Sequence, residues 1–105
     1  MNTYKLHSDG FTITVNSKPL PLRLDLRSHS PDGFSWNYCG SGPAQAALAI
    51  LAYEKDDETA MRNYQNFKSD VLATLSIGVE HYLTSGDINR WLNKNNALKN
   101  VPTLM

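Results

Sequence analysis

The sequence predicts an α+β domain, with a small antiparallel sheet of three to four short N-terminal strands covered by about three C-terminal α-helices. Three features carry that prediction. Apolar and polar residues alternate from Phe11 onward, the turn Gly40-Ser41-Gly42-Pro43 launches an Ala/Leu-rich run, and Thr84-Ser85-Gly86-Asp87 spells a helix start.

The strands come first. Phe11, Ile13 and Val15 alternate with Thr12 and Thr14, a period of two on β-favouring residues. Asp9-Gly10 before them and Asn16-Ser17 after them are turn chemistry, so Tyr4–His7 is expected to pair back across Ser8-Asp9-Gly10 as a hairpin. A second alternation sets Leu20, Leu22, Leu24 and Leu26 on one face and Pro21, Arg23, Asp25 and Arg27 on the other. Pro21 has no ladder donor, so that strand is expected to lie at an edge or to begin after it. Residues 28–42 read as a turn-rich connector, with Phe34, Trp36 and Tyr38 spaced for one more short strand.

Three helices follow. In the first, Ser41 is expected to cap free N–H groups, and Pro43 sits where a missing donor costs nothing. Ala44, Ala47, Leu48, Leu51 and Ala52 recur at helical spacing, with an end near Lys55-Asp56. The second is expected from Asp57 to Leu75, its acidic start matching the positive end of the dipole and Met61, Tyr64, Phe67, Val71, Leu72 and Leu75 forming its apolar stripe. The third opens at the capping box and turns Ile88, Trp91 and Leu92 to one face.

With 105 residues the chain has room for one core, giving a single domain 1–105: β-rich to residue 40, helical over 41–92, and a frayed tail over 93–105. Ten basic and ten acidic residues cancel, and neither half is strongly biased: four basic and three acidic groups lie in residues 1–42, six and seven in the rest. That balance argues against a protein that coats nucleic acid by displacing counterions. A single cysteine, Cys39, permits no intramolecular disulfide and points to a reducing compartment. The N-terminus lacks a signal-peptide pattern, and the longest apolar run, around Ala46–Tyr53, is less than half a bilayer span. The expected location is the cytoplasm.

The chemistry is sparse. Gly40, Ser41 and Gly42 at a helix start offer N–H groups to an anion, yet Pro43 deletes one, and neither the further glycines nor the Lys-Ser/Thr pair of phosphate-binding loops is present. The incomplete motif favours a tight packing turn. Cys39 beside that turn has the position of an activated thiol, but nothing ties it to His7, His29 or His81, and buried packing is the commoner fate of a free cysteine. Those four residues show no metal-ligand spacing, so neither metal nor cofactor is expected, nor enzymatic activity. Arg23, Asp25 and Arg27 on one strand face suit an anion or a partner's carboxylate; equally, Asp25 neutralises its neighbours. With Trp36 and Tyr38 they make an interface-like composition, against which stands a reading of the aromatics as core. A protein-binding surface centred on Arg23, Arg27, Trp36, Tyr38, Gly40, Ser41 and Gly42 is the resulting expectation.

The stretch Leu24-Asp25-Leu26-Arg27, His29-Ser30-Pro31, Gly33-Phe34, Trp36, Tyr38 and Gly40-Ser41-Gly42-Pro43-Ala44-Gln45 resembles a family of small uncharacterised proteins from bacteria, phages and mobile elements. Tyr64, Phe67-Lys68, Leu83-Thr84, Ile88 and Trp91-Leu92 are similar to its later segments, so the resemblance spans most of residues 11–92. Asn37 and Cys39 stand where glycine is more usual. The resemblance implies no activity, but it implies a context, a small accessory protein carried by mobile DNA in a bacterial host cell. From that context the expected role is inhibition by occlusion of a bacterial defence nuclease, such as a CRISPR effector. The alternative is a nucleotide- or anion-binding domain that uses the Gly40–Pro43 turn.

Overall fold

The structure, a computed structural model, describes the backbone of residues 1–100 and the side chains of residues 1–95. It is an α+β fold with one four-stranded antiparallel sheet and three α-helices. The strands are β1 (Thr3–Leu6), β2 (Ile13–Val15), β3 (Lys18–Pro19) and β4 (His81–Thr84), in the spatial order β3-β2-β1-β4. The helices are α1 (Ser41–Glu54), α2 (Asp57–Asp70) and α3 (Ser85–Asn100), with a single 3-10 turn at Leu72–Thr74 after α2.

The expected hairpin forms. Tyr4 pairs with Val15 and Leu6 with Ile13, so all four side chains leave water on one face while Lys5 and Thr14 take the other. Gly10 closes the loop at φ +85°, and the Asp9 carboxylate accepts from the N–H groups of Phe11 and Thr12. Asn16 and Ser17 both have positive φ, at 51° and 69°. This is the two-residue turn whose twist matches a hairpin, and it carries the chain into β3.

The alternation from Leu20 to Leu26 does not become a strand. Pairing stops at Pro19, with a last bond from the Leu20 N–H to the Ile13 carbonyl. Pro19 and Pro21 supply no donors, and Arg23 at φ +59° reverses the chain, with Leu26 N–H closing onto the Arg23 carbonyl. Phe34, Trp36 and Tyr38 are not a strand either: the Asn37 N–H bonds to Leu72 in the 3-10 turn instead of a sheet edge.

The sheet acquires its fourth strand from within the helix-rich 41–92 region, between the expected second and third helices, where no strand is expected from the sequence. β4 lies against β1, with Tyr4 opposite Leu83 and Lys5 opposite Tyr82. It runs directly into α3 through the expected capping box. Thr84 Oγ1 accepts from the Asp87 N–H at 3.2 Å, and the Asp87 carboxylate accepts from the Thr84 N–H at 3.0 Å. α3 continues to Asn100, past the end expected near Leu92; the remainder of the expected frayed tail, 101–105, lies outside the described residues.

α1 is the centre of the core. Every residue from Gly42 to Ala52 is buried, which is what an all-round apolar run demands. Its alanines let α2 approach, where Ala60, Tyr64 and Phe67 are buried. Full burial of Leu48, Ile50 and Leu51 contributes roughly 1.5–3 kcal/mol each. α2 begins where expected, with Asp56 accepting from the Thr59 N–H at 2.7 Å, but it ends at Asp70. Beyond Val71 the Thr74 hydroxyl takes the Val71 carbonyl and Leu75 is already extended.

One polar knot closes the domain. A single carboxylate oxygen of Glu54, at the end of α1, accepts from Tyr4 Oη at 2.9 Å, Ser85 Oγ at 2.9 Å and Asn2 Nδ2 at 3.1 Å. Burial, and after it the bond to Glu54, raises the Tyr4 phenol far above its ordinary pKa. Among the described residues, no helix is long and apolar enough to cross a membrane.

Candidate functional site

Residues 20–40 form the longest irregular segment among the described residues, and they wrap around the N-terminal half of α1. Gln45 holds them there. It is the one polar side chain in the run Gly42–Ala52, and it is fully buried. Its Oε1 accepts from the N–H groups of His29 (2.8 Å) and Ser30 (3.1 Å), and its Nε2 donates to the Leu22 carbonyl at 2.6 Å. Irregular backbone has no ladder to satisfy it, and this amide supplies three of the missing partners.

Further anchors fix the rest of the segment. His29 Nε2 and Tyr64 Oη lie 2.9 Å apart, with their rings in tilted contact. Asn37, at φ +80°, bonds through its N–H to the Leu72 carbonyl and through Nδ2 to the Leu75 carbonyl at 2.8 Å. This left-handed backbone gives a physical reason for glycine at a position where the resemblance expects it.

The arginine cluster is divided. Arg23 grips Asp25 with two bonds of 3.0 Å and reaches Asp57 at the start of α2 at 3.1 Å. Asp25 and then Asp57 push the Arg23 guanidinium up, and Arg23 holds the Asp25 carboxyl below the usual range. Of the two readings of this face, the geometry favours the one in which Asp25 neutralises its neighbour, and with Asp57 it makes Arg23 a clasp between connector and helix. Arg27 is exposed.

The aromatics divide in the same way. Trp36 is 1% exposed and belongs to the core, which removes it from any contact surface; its Nε1 is buried without a hydrogen-bond partner. Tyr38 is 52% exposed, its hydroxyl 3.0 Å from Ser35 Oγ. Alternation put Trp36 and Tyr38 on one face, but the left-handed turn at Asn37 between them sends them to opposite environments.

The glycine turn is a close-packed joint. Gly40 is the N-cap of α1 in extended conformation, and its carbonyl takes the Ala44 N–H at 3.0 Å. Ser41 is thus the first helical residue and makes no cap bond, correcting the expected role; the helix starts one residue too early for it. A Cβ at Gly42 would overlap the Ser35 side chain and stand 3.1 Å from its backbone N, and one at Gly40 would overlap the Tyr38 ring.

Cys39 is exposed, not packed inside, with its sulfur 4.0 Å from Ser69 Oγ. The histidines are engaged elsewhere: His7 with Thr14, His29 with Tyr64, and His81 with the Ser76 carbonyl. Among the described residues, no three metal-ligating side chains gather. The residues missed in sequence were Gln45 and Ser35. A lone amide in an otherwise apolar helix was the available signal for the first; Ser35 carried none.

The model of one protein family, described as a family of unknown function (DUF6166), matches residues 4–94. No curated protein and no solved structure matches the chain.

Proposed function

We propose that this chain, which belongs to a family of unknown function (DUF6166), acts by binding another protein through the pinned 20–40 segment. The observation that carries the reading is the combination of irregular backbone and tight anchoring. Long loops without secondary structure are uncommon in compact domains and are used for binding when a scaffold holds them in place. Here Gln45, Asp57, Tyr64 and Leu72 all hold the loop, and Leu24, Arg27 and Tyr38 remain exposed on it. Tyrosine and arginine are residue types enriched among interface anchors, and a loop already held by its scaffold loses little backbone entropy on docking.

A photo-crosslinking amino acid placed at Tyr38 or Arg27 in bacterial cells tests this. The expected result is one discrete adduct from both positions, competed away by excess unlabelled protein. No adduct, or the same adduct from Gln65 on α2, would count against the loop as the recognition surface. The narrower reading, occlusion of a bacterial defence nuclease such as a CRISPR effector, rests on the sequence resemblance alone. It predicts that the purified chain protects target DNA from such a nuclease. A saturable rise in Tm with a nucleotide or inorganic phosphate would instead favour ligand binding at the Gly40–Pro43 turn.

A further inference from the structure

The sheet has an open edge at β4, and its chemistry is self-complementary. The Ser85 N–H bonds to the Asn2 carbonyl at 3.0 Å, and antiparallel alternation then makes Tyr4–Leu83 and Leu6–His81 the bonded pairs of the β1–β4 ladder. Tyr82, opposite Lys5, turns its N–H and C=O away from β1. The other side of β1 agrees, since the Asn16 N–H bonds to the Thr3 carbonyl and sets Thr3 and Lys5 toward β2. Thr84 also turns outward, but Asp87 already occupies its N–H. Among the described residues, no strand pairs with β4 on its outer side. Such an edge is ordinarily blunted or paired.

The side chains along this edge carry charge in a symmetric arrangement. Tyr82 is 57% exposed and Val79 is 50% exposed. Glu80 bonds Lys5 at 3.1 Å, which places it on the same outer face as Tyr82. Arg90 of α3, with its side chain 77% exposed, bonds Asp87 through Nη2 at 2.6 Å and holds its other guanidinium nitrogen near Gly86, beside Thr84. A Cβ on Gly86 would lie 3.6 Å from Thr84 Oγ1 and 3.9 Å from an Arg90 guanidinium nitrogen.

We propose that two copies of this chain pair antiparallel through β4, about a two-fold axis at Tyr82, into one continuous eight-stranded sheet. In that register Tyr82 faces Tyr82 of the second copy and the two exchange N–H···O=C bonds. Glu80 falls opposite Thr84 of the second copy, beside that copy's Arg90, and two-fold symmetry makes the acid–base pair twice. A foreign strand has no reason to carry both charges at these offsets, whereas the chain's own strand does. The short edge gives a weak, reversible dimer rather than an obligate one.

Sedimentation equilibrium of the full chain, from micromolar up to about 1 mM, reads the association directly. The wild type is expected to dimerise reversibly, and Glu80→Arg and Arg90→Glu are each expected to weaken it by about tenfold or more. Mixing those two variants restores association, because only the mixed dimer has opposite charges at both contacts. The Tyr82 amide hydrogen should exchange more slowly as wild-type concentration rises. A wild type that stays monomeric throughout, variants that dimerise as it does, a mixture no tighter than its components, or a Tyr82 amide indifferent to concentration would each overturn the proposal.

Discussion

The side-chain carbonyl of Gln45, fully buried in α1, accepts the backbone N–H of His29 at 2.8 Å, and this bond joins the irregular connector to the core. The same amide serves Ser30 and Leu22, so one residue replaces a strand's worth of backbone pairing. Replacing Gln45 by Ala or by Met is expected to destabilise the protein by about 2–4 kcal/mol, since buried backbone groups are left unpaired. Met nearly keeps the volume, so similar losses for the two variants in urea titrations identify the hydrogen bonds as the cause. A Met variant of wild-type stability would refute it.

Gly42 and Gly40 are expected to differ. At Gly42 an added methyl meets the side chain and backbone of Ser35, so Gly42→Ala should cost about 1–3 kcal/mol. Ser35→Gly should recover part of that loss. At Gly40 the obstacle is the half-exposed Tyr38 ring, which can swing into solvent, and Gly40→Ala should cost well under about 1 kcal/mol. Thermal unfolding of the three variants checks the order.

Trp36 and Tyr38, two positions apart, should respond oppositely to truncation. Trp36→Ala empties a core site and is expected to cost about 3–5 kcal/mol. Tyr38→Ala should stay within about 0.5 kcal/mol of wild type while lowering the yield of the partner adduct formed from position 27. A Tyr38→Ala protein that unfolds readily, or crosslinks unchanged, would remove Tyr38 from the recognition surface.

Stability should fall at both extremes of pH. The Asp25 carboxyl is held low by Arg23, Asp56 by the Thr59 N–H, Glu80 by Lys5 and Asp87 by the Thr84 N–H. Because their folded pKa values are depressed, their stabilisation is complete above the unfolded value of about 4 and is lost as pH drops through the folded values. Tyr4 has the opposite sign: its folded pKa is raised, first by burial, so its contribution is complete below about pH 10 and erodes above it. Tm measured against pH should show both limbs. Asp87→Asn should shallow the acid limb and Tyr4→Phe the alkaline one.

Local pattern alone determined a large part of this protein. The Tyr4–Val15 hairpin, the buried helix after Pro43, the start of α2 and the Thr84–Asp87 capping box all follow from neighbours within a few residues of one another. What only the tertiary structure decided involves distant partners. His81–Thr84 is a strand because β1 offers it an edge, a pairing across most of the chain that no short window encodes. Leu20–Leu26 has a strand's alternation but no strand's fate, because its prolines and the left-handed Arg23 break the ladder, and the buried Gln45 takes the Leu22 carbonyl instead. Arg23 became a clasp when the fold brought Asp57 to it, and Trp36 and Tyr38 parted when Asn37 turned left-handed between them. Periodicity reports which residues can share a face; which face is buried depends on what the rest of the chain places against it.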